Sequence, residues 1–422
     1  MNAEAEIRRR IREQGAISFA EYMGLALFWP EGGYYAGPEP VGAAGDFYTS
    51  PLVHPAFGAL LALQLFQMWQ LLDQPHPFTV VEVGAGNGLL CRDVVACSAG
   101  LPPDFGRSLR YICLDRRAVS GAEKDISGGR PPAGVDRVVA SSLPFHGVRG
   151  CVLSNEFLDS MPVHQVTMHQ GRLREVYVTS KAGELTTDLR EPSTIALAAR
   201  FEDLGIELSE GQTAEVNLGL AGWAQEVAAT LEAGFALTID YGHPAEELYS
   251  PERRLRGTLT TYHRHTQTDA PFRHIGRQDM TAQVDFTSAV TAGRQAGLAL
   301  LGFTLQRRFL SNLGLGHVQR RLSYLGLDQG AVQANRAGLV DLARPGGLGD
   351  FRVLAQGKGV GQPALWGFQP GPEAAALAGE LPVPMLTSQH LSLLEGRYPE
   401  TEVEFEGLWP SPELLPGPGS PQ

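Results

Sequence analysis

Cysteine is scarce and scattered in this chain. The four among 422 residues (Cys91, Cys97, Cys113 and Cys151) show no C-x-x-C spacing, which argues against a disulfide framework and a cysteine-based zinc site. Each lies in or beside an apolar stretch and reads as a small buried hydrophobe. No apolar run approaches the ~20 residues needed to cross a bilayer. The N-terminus lacks the apolar core of a secretory signal, and its glutamates do not suit a transit peptide. These absences lead to the expectation of a cytoplasmic protein without a membrane span. Positive charge is in the minority, with 34 Lys and Arg against 46 Asp and Glu and a net charge of -12. A non-specific nucleic-acid binder would need a basic face instead. The basic string Arg8-Arg9-Arg10 with Arg12 is interrupted by Ile7 and Ile11, and reads as the solvated face of an amphipathic first helix. A G-x-S-x-G nucleophile elbow is absent, as is the Gly-Lys-Ser/Thr ending of a Walker loop.

What is present is an ordinary folding composition, 43% hydrophobic and 19% charged, in a chain long enough for one large domain with insertions or for two domains. Its most informative stretch is FTVVEVGAGNGLLCRDVV, residues 78–95. A β-branched apolar run gives way to three glycines and then to helical spacing, so a buried strand, a tight turn and a helix start are predicted. The glycines fall at Gly84, Gly86 and Gly88, with Glu82 two residues before the first. A dinucleotide fingerprint needs its third glycine one residue later, where Leu89 stands. The pattern E-x-G-x-G-x-G resembles motif I of class I S-adenosylmethionine (SAM) methyltransferases, whose turn approaches a ligand carrying a methionine zwitterion and no phosphate. Taken alone, a generic Gly-rich turn between strand and helix stays open.

Three regions follow. Residues 1–75 read as an N-terminal helical and loop extension, with a Gly/Pro/aromatic stretch of the kind that forms lids or binding loops. Residues 76–360 alternate strands and helices, with strand candidates at 78–84, 109–115, 136–141, 150–155 and 234–242. Two further strands are expected, in ALLGFTL and in FRVLAQGKG. Such alternation predicts an α/β fold, a Rossmann-like, mostly parallel sheet with helices on both faces. Insertions interrupt it near 160–230 and 243–290, the first opening with an antiparallel hairpin about Gln170-Gly171. Residues 361–422 turn Pro-rich and are expected to be a loosely packed, partly disordered extension.

In open parallel sheets ligands bind beyond the carboxyl ends of the strands, so residues there form the candidate site. The first strand delivers Glu82 and the glycine turn. The second ends at Asp115, whose carboxylate suits a ribose diol; capping the next helix is the alternative. The third ends at Ser141 and Ser142, expected on the adenine side. The fourth is followed by Asn155, Glu156 and Asp159, and the fifth ends in Asp240. Carboxylates crowded at a strand end are costly unless they have a partner. A guanidinium fits paired carboxylates because its planar fork bonds two oxygens at once. Helix capping by Asp159 and a solvated Glu156 is the competing reading. His263 and His265 form an H-x-H pair without a third ligand at metal-site spacing, so no metal is expected.

Several motifs together resemble the MidA-like family of SAM-dependent methyltransferases: GGYYA, GDFYTSP, EVGAGNG, NEFLDSMPV, IDYG, GTLTTYHRH and GRQDMTAQVDF occur in that family's order between about residues 15 and 315. The family includes a mitochondrial complex I assembly factor that is a protein arginine methyltransferase. The resemblance implies a class I methyltransferase fold, SAM as methyl donor, and N-methylation of an arginine in a protein substrate, by analogy a respiratory complex subunit. It matches Glu82, Gly84, Gly86 and Gly88 to the cofactor loop, Asn155, Glu156 and Asp159 to the motif after strand four, and Asp240 to the motif after strand five. Gly276, Gln278, Asp279, Thr281, Asp285 and Phe286 match a later block. Gln283 stands where the family usually has a histidine, and Met280 replaces the usual isoleucine. The expected roles are cofactor binding by Glu82, the three glycines, Asp115, Ser142 and Asn155, and catalysis by Glu156, Asp159 and Asp240. A small-molecule methyltransferase and a SAM-binding assembly factor without catalysis are the alternatives.

Overall fold

A computed structural model describes residues 2–37, 48–117, 134–263 and 266–390. The chain enters through α1 (Ala3–Gln14) and α2 (Phe19–Phe28). Asn2 caps α1 by accepting the Ala5 N–H, and Gly15, at φ 79°, ends it. Ile7 and Ile11 bury the apolar stripe of α1. On the other side Arg9 and Arg10 both grip Glu6, and Arg10 reaches on to Glu21 of α2. The basic string is therefore a face of ion pairs that pins two helices together. Phe19, Tyr22 and Met23 of α2 pack against Val163, Val178 and Met280 from the inserted sheets.

Seven strands form the central sheet: β1 (Phe78–Val83), β2 (Leu109–Asp115), β3 (Val135–Val139), β4 (Val148–Asn155), β5 (Leu231–Asp240), β6 (Ala299–Leu305) and β7 (Arg352–Lys358). Their order is β3-β2-β1-β4-β5-β7-β6. The first five are mutually parallel, and β7 runs antiparallel to both β5 and β6. Strand order reverses between β1 and β4, which is where an open sheet of this kind opens a crevice. Both faces are covered, as near-continuous apolar strands demand. Phe78 and Val80 of β1 face the largest core cluster beneath α3 (Ala56–Leu71). Val81 and Val83 face the opposite layer, which includes Val227 of α5 (Leu220–Thr230). Between them in sequence, α4 (Leu89–Ser98) follows the glycine turn.

The centre of the sheet has room only for glycine. A Cβ on Gly150 of β4 would sit 1.9 Å from the Thr79 carbonyl oxygen, and one on Gly234 of β5 would sit 2.1 Å from that of Gly150. Gly150→Ala is expected to cost about 3 kcal/mol or more, because backbone and not a flexible side chain must give way. A denaturant midpoint close to that of the native chain would refute this.

The insertion after β4 folds as the predicted hairpin. His164–His169 pairs antiparallel with Arg172–Lys181, around Gln170 and Gly171, both at positive φ (54° and 67°), as a two-residue hairpin turn requires. Glu184–Arg190, Thr213–Val216 and Ile17–Ser18 complete a five-stranded sheet. A second small sheet joins Thr260–His263, Thr266–Thr268 and Asp279–Thr281. Beyond β7 the chain is not loose throughout: Leu365, Ala374, Ala378 and Leu381 are buried in the main core cluster. His390 Nε2 meets Asp93 Oδ2 of α4 at 2.9 Å. The remainder of the predicted extension, 391–422, lies outside the described residues.

Candidate active site

A cleft of about 330 Å³ opens beyond the carboxyl ends of β1, β2 and β4. Its floor is the turn after β1, where Gly84, Gly86 and Gly88 adopt φ of 73°, 51° and 83°. The N–H of Gly86 donates to Asp115 Oδ2 at 2.9 Å, and that of Arg117 to Asp115 Oδ1 at 3.0 Å. Asp115 therefore fixes the turn as well as facing the cleft. From β3 the Arg137 guanidinium donates to the carbonyls of Gly86 and Asn87. Gly84 and Gly86 line the cleft, with Ala140, Ser141 and Ser142 beyond β3. Gly88 does not. It starts α4 from a left-handed conformation, and a Cβ there would strike the Arg137 guanidinium.

The opposite wall comes from the loop after β4. Glu156 is the non-glycine residue at its apex with a positive φ, 50°, a conformation that persists only where the surroundings enforce it. Its N–H donates to the Ile239 carbonyl at 2.8 Å. Its Oε1 accepts the Ser50 N–H at 3.2 Å and the Asn155 amide at 3.0 Å. Asp159 is 5% exposed, and its Oδ1 closes no hydrogen bond of ordinary geometry within the protein. Burial, followed by the neighbouring Asp159, pushes the Glu156 carboxyl up to about 8. Burial likewise raises Asp159 to about 6, against the steadying hydroxyl of Tyr241. A cation beside these carboxyls would favour their charged forms and lower both pKa values.

Three expected assignments are corrected by these placements. Asp240 does not reach the cleft. It is 0% exposed, its Oδ2 accepts the N–H groups of Phe157, Leu158 and Asp159 at 3.1, 2.8 and 3.4 Å, and its Oδ1 accepts that of Tyr241. Glu82 also turns away, because strand parity puts it on the face of Phe78 and Val80, where it accepts the Tyr111 hydroxyl at 2.9 Å. Asn155 orients Glu156 and does not line the cleft. Sequence reasoning missed Trp223, whose ring lies 5.0 Å from that of Phe157, and Glu226, which accepts the Leu143 N–H at 3.1 Å. Both are on α5 and line the cleft, and no local motif marks them. Tyr35 and Asp279 line it as well. His265 of the H-x-H pair lies outside the described residues, while His263 stacks on His274 at 4.2 Å.

Glu82 gives a pH-dependent prediction. Burial raises its pKa to about 8, above the unfolded value, so the folded state holds the extra proton and stability falls as pH rises from about 4.5 to about 8. Glu82→Gln carries no such proton. Its unfolding midpoint is expected to gain on that of the native chain across this window, by up to a few kcal/mol at pH 8, with SAM affinity unchanged. A parallel pair of stability–pH curves would contradict this.

The cleft suits SAM on its own geometry. Side-chain-free backbone at Gly84 and Gly86, the Asp115 carboxylate and the aromatic Phe157–Trp223 wall line one cleft, a set of surfaces that fits a zwitterion, a diol and a base. Its volume matches that of small-molecule sites. The strand order, the reversed seventh strand and the cleft at the switch point together define a class I SAM-dependent methyltransferase. The chain belongs to a family of S-adenosyl-L-methionine-dependent methyltransferases, whose model matches residues 60–304. It is similar to a crystal structure of a superfamily member from Burkholderia thailandensis bound to S-adenosyl-homocysteine. That likeness has 31% identity and a TM-score of 0.77, and covers 87% of this chain and 95% of that one. Among curated proteins it is 27% identical over 384 residues to the Drosophila melanogaster protein arginine methyltransferase NDUFAF7 homolog, mitochondrial, covering 84% of each chain. It is 29% identical over 336 residues to the Mus musculus protein arginine methyltransferase NDUFAF7, mitochondrial, covering 72% of each. SAM is the cofactor. The expected cytoplasmic location is corrected, because these relatives are named mitochondrial; the composition of a folded body does not report its compartment. Among the described residues no helix is long and apolar enough to cross a membrane.

Proposed function

We propose that this methyltransferase N-methylates an arginine side chain of a protein. The observation that carries the reading is that Glu156 and Asp159 line one cleft together, with Asp159 Oδ1 closing no hydrogen bond of ordinary geometry. Two such carboxylates are one cation short, and a guanidinium supplies the charge and the planar fork of donors together. The names of the curated relatives support the same acceptor.

Bound SAM supplies an electrophilic methyl group on a sulfonium. The backbone at Gly84 and Gly86 holds its methionine end, Asp115 the ribose, and Ser142 the base side. Glu156 and Asp159 orient the acceptor nitrogen towards the methyl. As the N–CH₃ bond forms and the S–CH₃ bond breaks, an N–H proton leaves the guanidinium for one of the two carboxylates. Positioning does most of the work, because a protonated guanidinium is a poor nucleophile.

The raised pKa of Glu156 has a kinetic consequence. Below about pH 8 a proton on Glu156 competes with the cation. KM for the acceptor is expected to fall as pH rises from 6 to 8 and then level, and Glu156→Gln to flatten the profile; a flat native profile would remove Glu156 from the acceptor site. The acceptor itself is tested by incubating the protein with methyl-labelled SAM and lysate of a strain lacking its gene. Label on a discrete protein, released as methylarginine on hydrolysis, is the expected result. Label confined to the small-molecule fraction, or SAM binding with no labelled product, would overturn the reading in favour of a small-molecule acceptor or a non-catalytic assembly role.

A further inference from the structure

Besides Asp115, Glu156, Asp159 and Glu226, one further acidic side chain lines the cleft, and it comes from a different part of the chain. Asp279 is 1% exposed and lines the same cleft as Glu156 and Asp159. Its strand belongs to the second small sheet, where Tyr262 stands directly opposite it. That strand is locked to the loop after β4, because the N–H of Ala282 donates to the Asp159 carbonyl at 3.0 Å. The Tyr35 hydroxyl donates to Asp279 Oδ2 at 2.9 Å, and the Met280 N–H to Oδ1 at 2.8 Å. Tyr35 is itself set by stacking on Phe28, with ring centroids 5.3 Å apart and planes 13° from parallel. Asp279 is thus held in one orientation by the N-terminal unit.

Two carboxylates neutralise an ammonium and satisfy most of its three donors, whereas a guanidinium presents five donors spread over a plane. A buried carboxylate added beside Glu156 and Asp159 costs desolvation and like-charge repulsion, and a methyl acceptor with few donors does little to offset this. Asp159 Oδ1 closes no hydrogen bond of ordinary geometry, so the wall has acceptor capacity beyond what its well-formed hydrogen bonds use. We propose that Asp279, held in place by Tyr35, is the specificity-determining residue that makes this pocket select a guanidinium over an ammonium cation. The proposal rests on the arginine reading and names the side chain that enforces it. Asp279 adds a carboxylate beside the loop that carries Glu156 and Asp159, and Tyr35 is a positioning residue that acts through it.

The test uses methylguanidinium and methylammonium chlorides as probes, titrated calorimetrically into the full chain saturated with S-adenosyl-homocysteine. The native protein is expected to bind methylguanidinium at least about tenfold more tightly. Asp279→Asn and Tyr35→Phe are each expected to bring that ratio down towards one, with S-adenosyl-homocysteine affinity unchanged as proof of folding. Tyr35→Phe keeps the ring stacked on Phe28, so it decides the matter if Asp279→Asn does not fold. A native preference that survives in the variants would overturn the role of Asp279 and leave the arginine reading standing. A native protein that does not distinguish the two cations would overturn both.

Discussion

The Glu156→Gln/Asp159→Asn double variant retains SAM binding and loses methyl transfer by about 10³-fold or more. Substituting an amide for either carboxylate preserves shape, so the loop after β4 keeps its path and the cofactor half of the cleft is untouched. Gly84, Gly86 and Asp115 of that half share no hydrogen bond with the Glu156 or Asp159 side chain among the described residues, and the substitutions leave Phe157 in place. The amides remove two negative charges from a buried wall and put donors where acceptors are needed. A guanidinium is then held by neither charge nor fork, and its departing proton has no carboxylate to receive it. General-base and electrostatic contributions of this kind are each worth about 10²–10³, and they are not additive when the groups act as a unit. Single-turnover transfer alongside equilibrium SAM binding separates the two halves. Undiminished turnover would show that neither side chain handles the acceptor.

How much of this site was legible beforehand depends on whether its determinants are local. The β1 strand, the glycine turn and the start of α4 are adjacent in sequence and carry their own periodicity and φ requirements, so they were readable. So was the hairpin at Gln170-Gly171. Facing was harder. Glu82 and Asp240 both sit at carboxyl ends of strands, yet period-two alternation sends Glu82 under α3, and the backbone of the next loop wraps Asp240. A strand-end rule locates a crevice without saying which end residues point into it. Tyr35 and Asp279 lie 244 positions apart and meet only because α2 and the second small sheet are folded over the same cleft. The Pro-rich composition after residue 360 was a poor guide to packing, since Leu365 and Leu381 are core residues; proline limits helices and ladders but does not prevent an extended segment from lying in a groove.

Asp240 shows how a residue outside the cleft can govern it, and Asp240→Ala has the second-largest expected effect. Its Oδ2 gathers three consecutive N–H groups from the loop that displays Glu156 and Asp159. Glu156 meanwhile holds a left-handed backbone that costs about 1–3 kcal/mol without enforcement. Burial and the nearby Asp159 push the Asp240 pKa up while the N–H donors oppose them. Removing the carboxylate leaves those donors without their acceptor, at about 1–3 kcal/mol for each that stays buried, so a loss of about 3–5 kcal/mol is expected from the denaturant midpoint. Activity should fall with it for a geometric reason, because a misplacement of about 1 Å at a reacting centre costs on the order of 10²-fold. The distinguishing result is the pattern: kcat falls and acceptor KM rises by more than SAM affinity falls, because Asp115 and Gly86 keep their own hydrogen bond while Phe157, beside Gly84, moves with the loop. A variant that is destabilised yet turns over normally would mean that the loop keeps its conformation without Asp240, and that Ser50, Asn155 and the Ile239 carbonyl suffice to hold Glu156 in place.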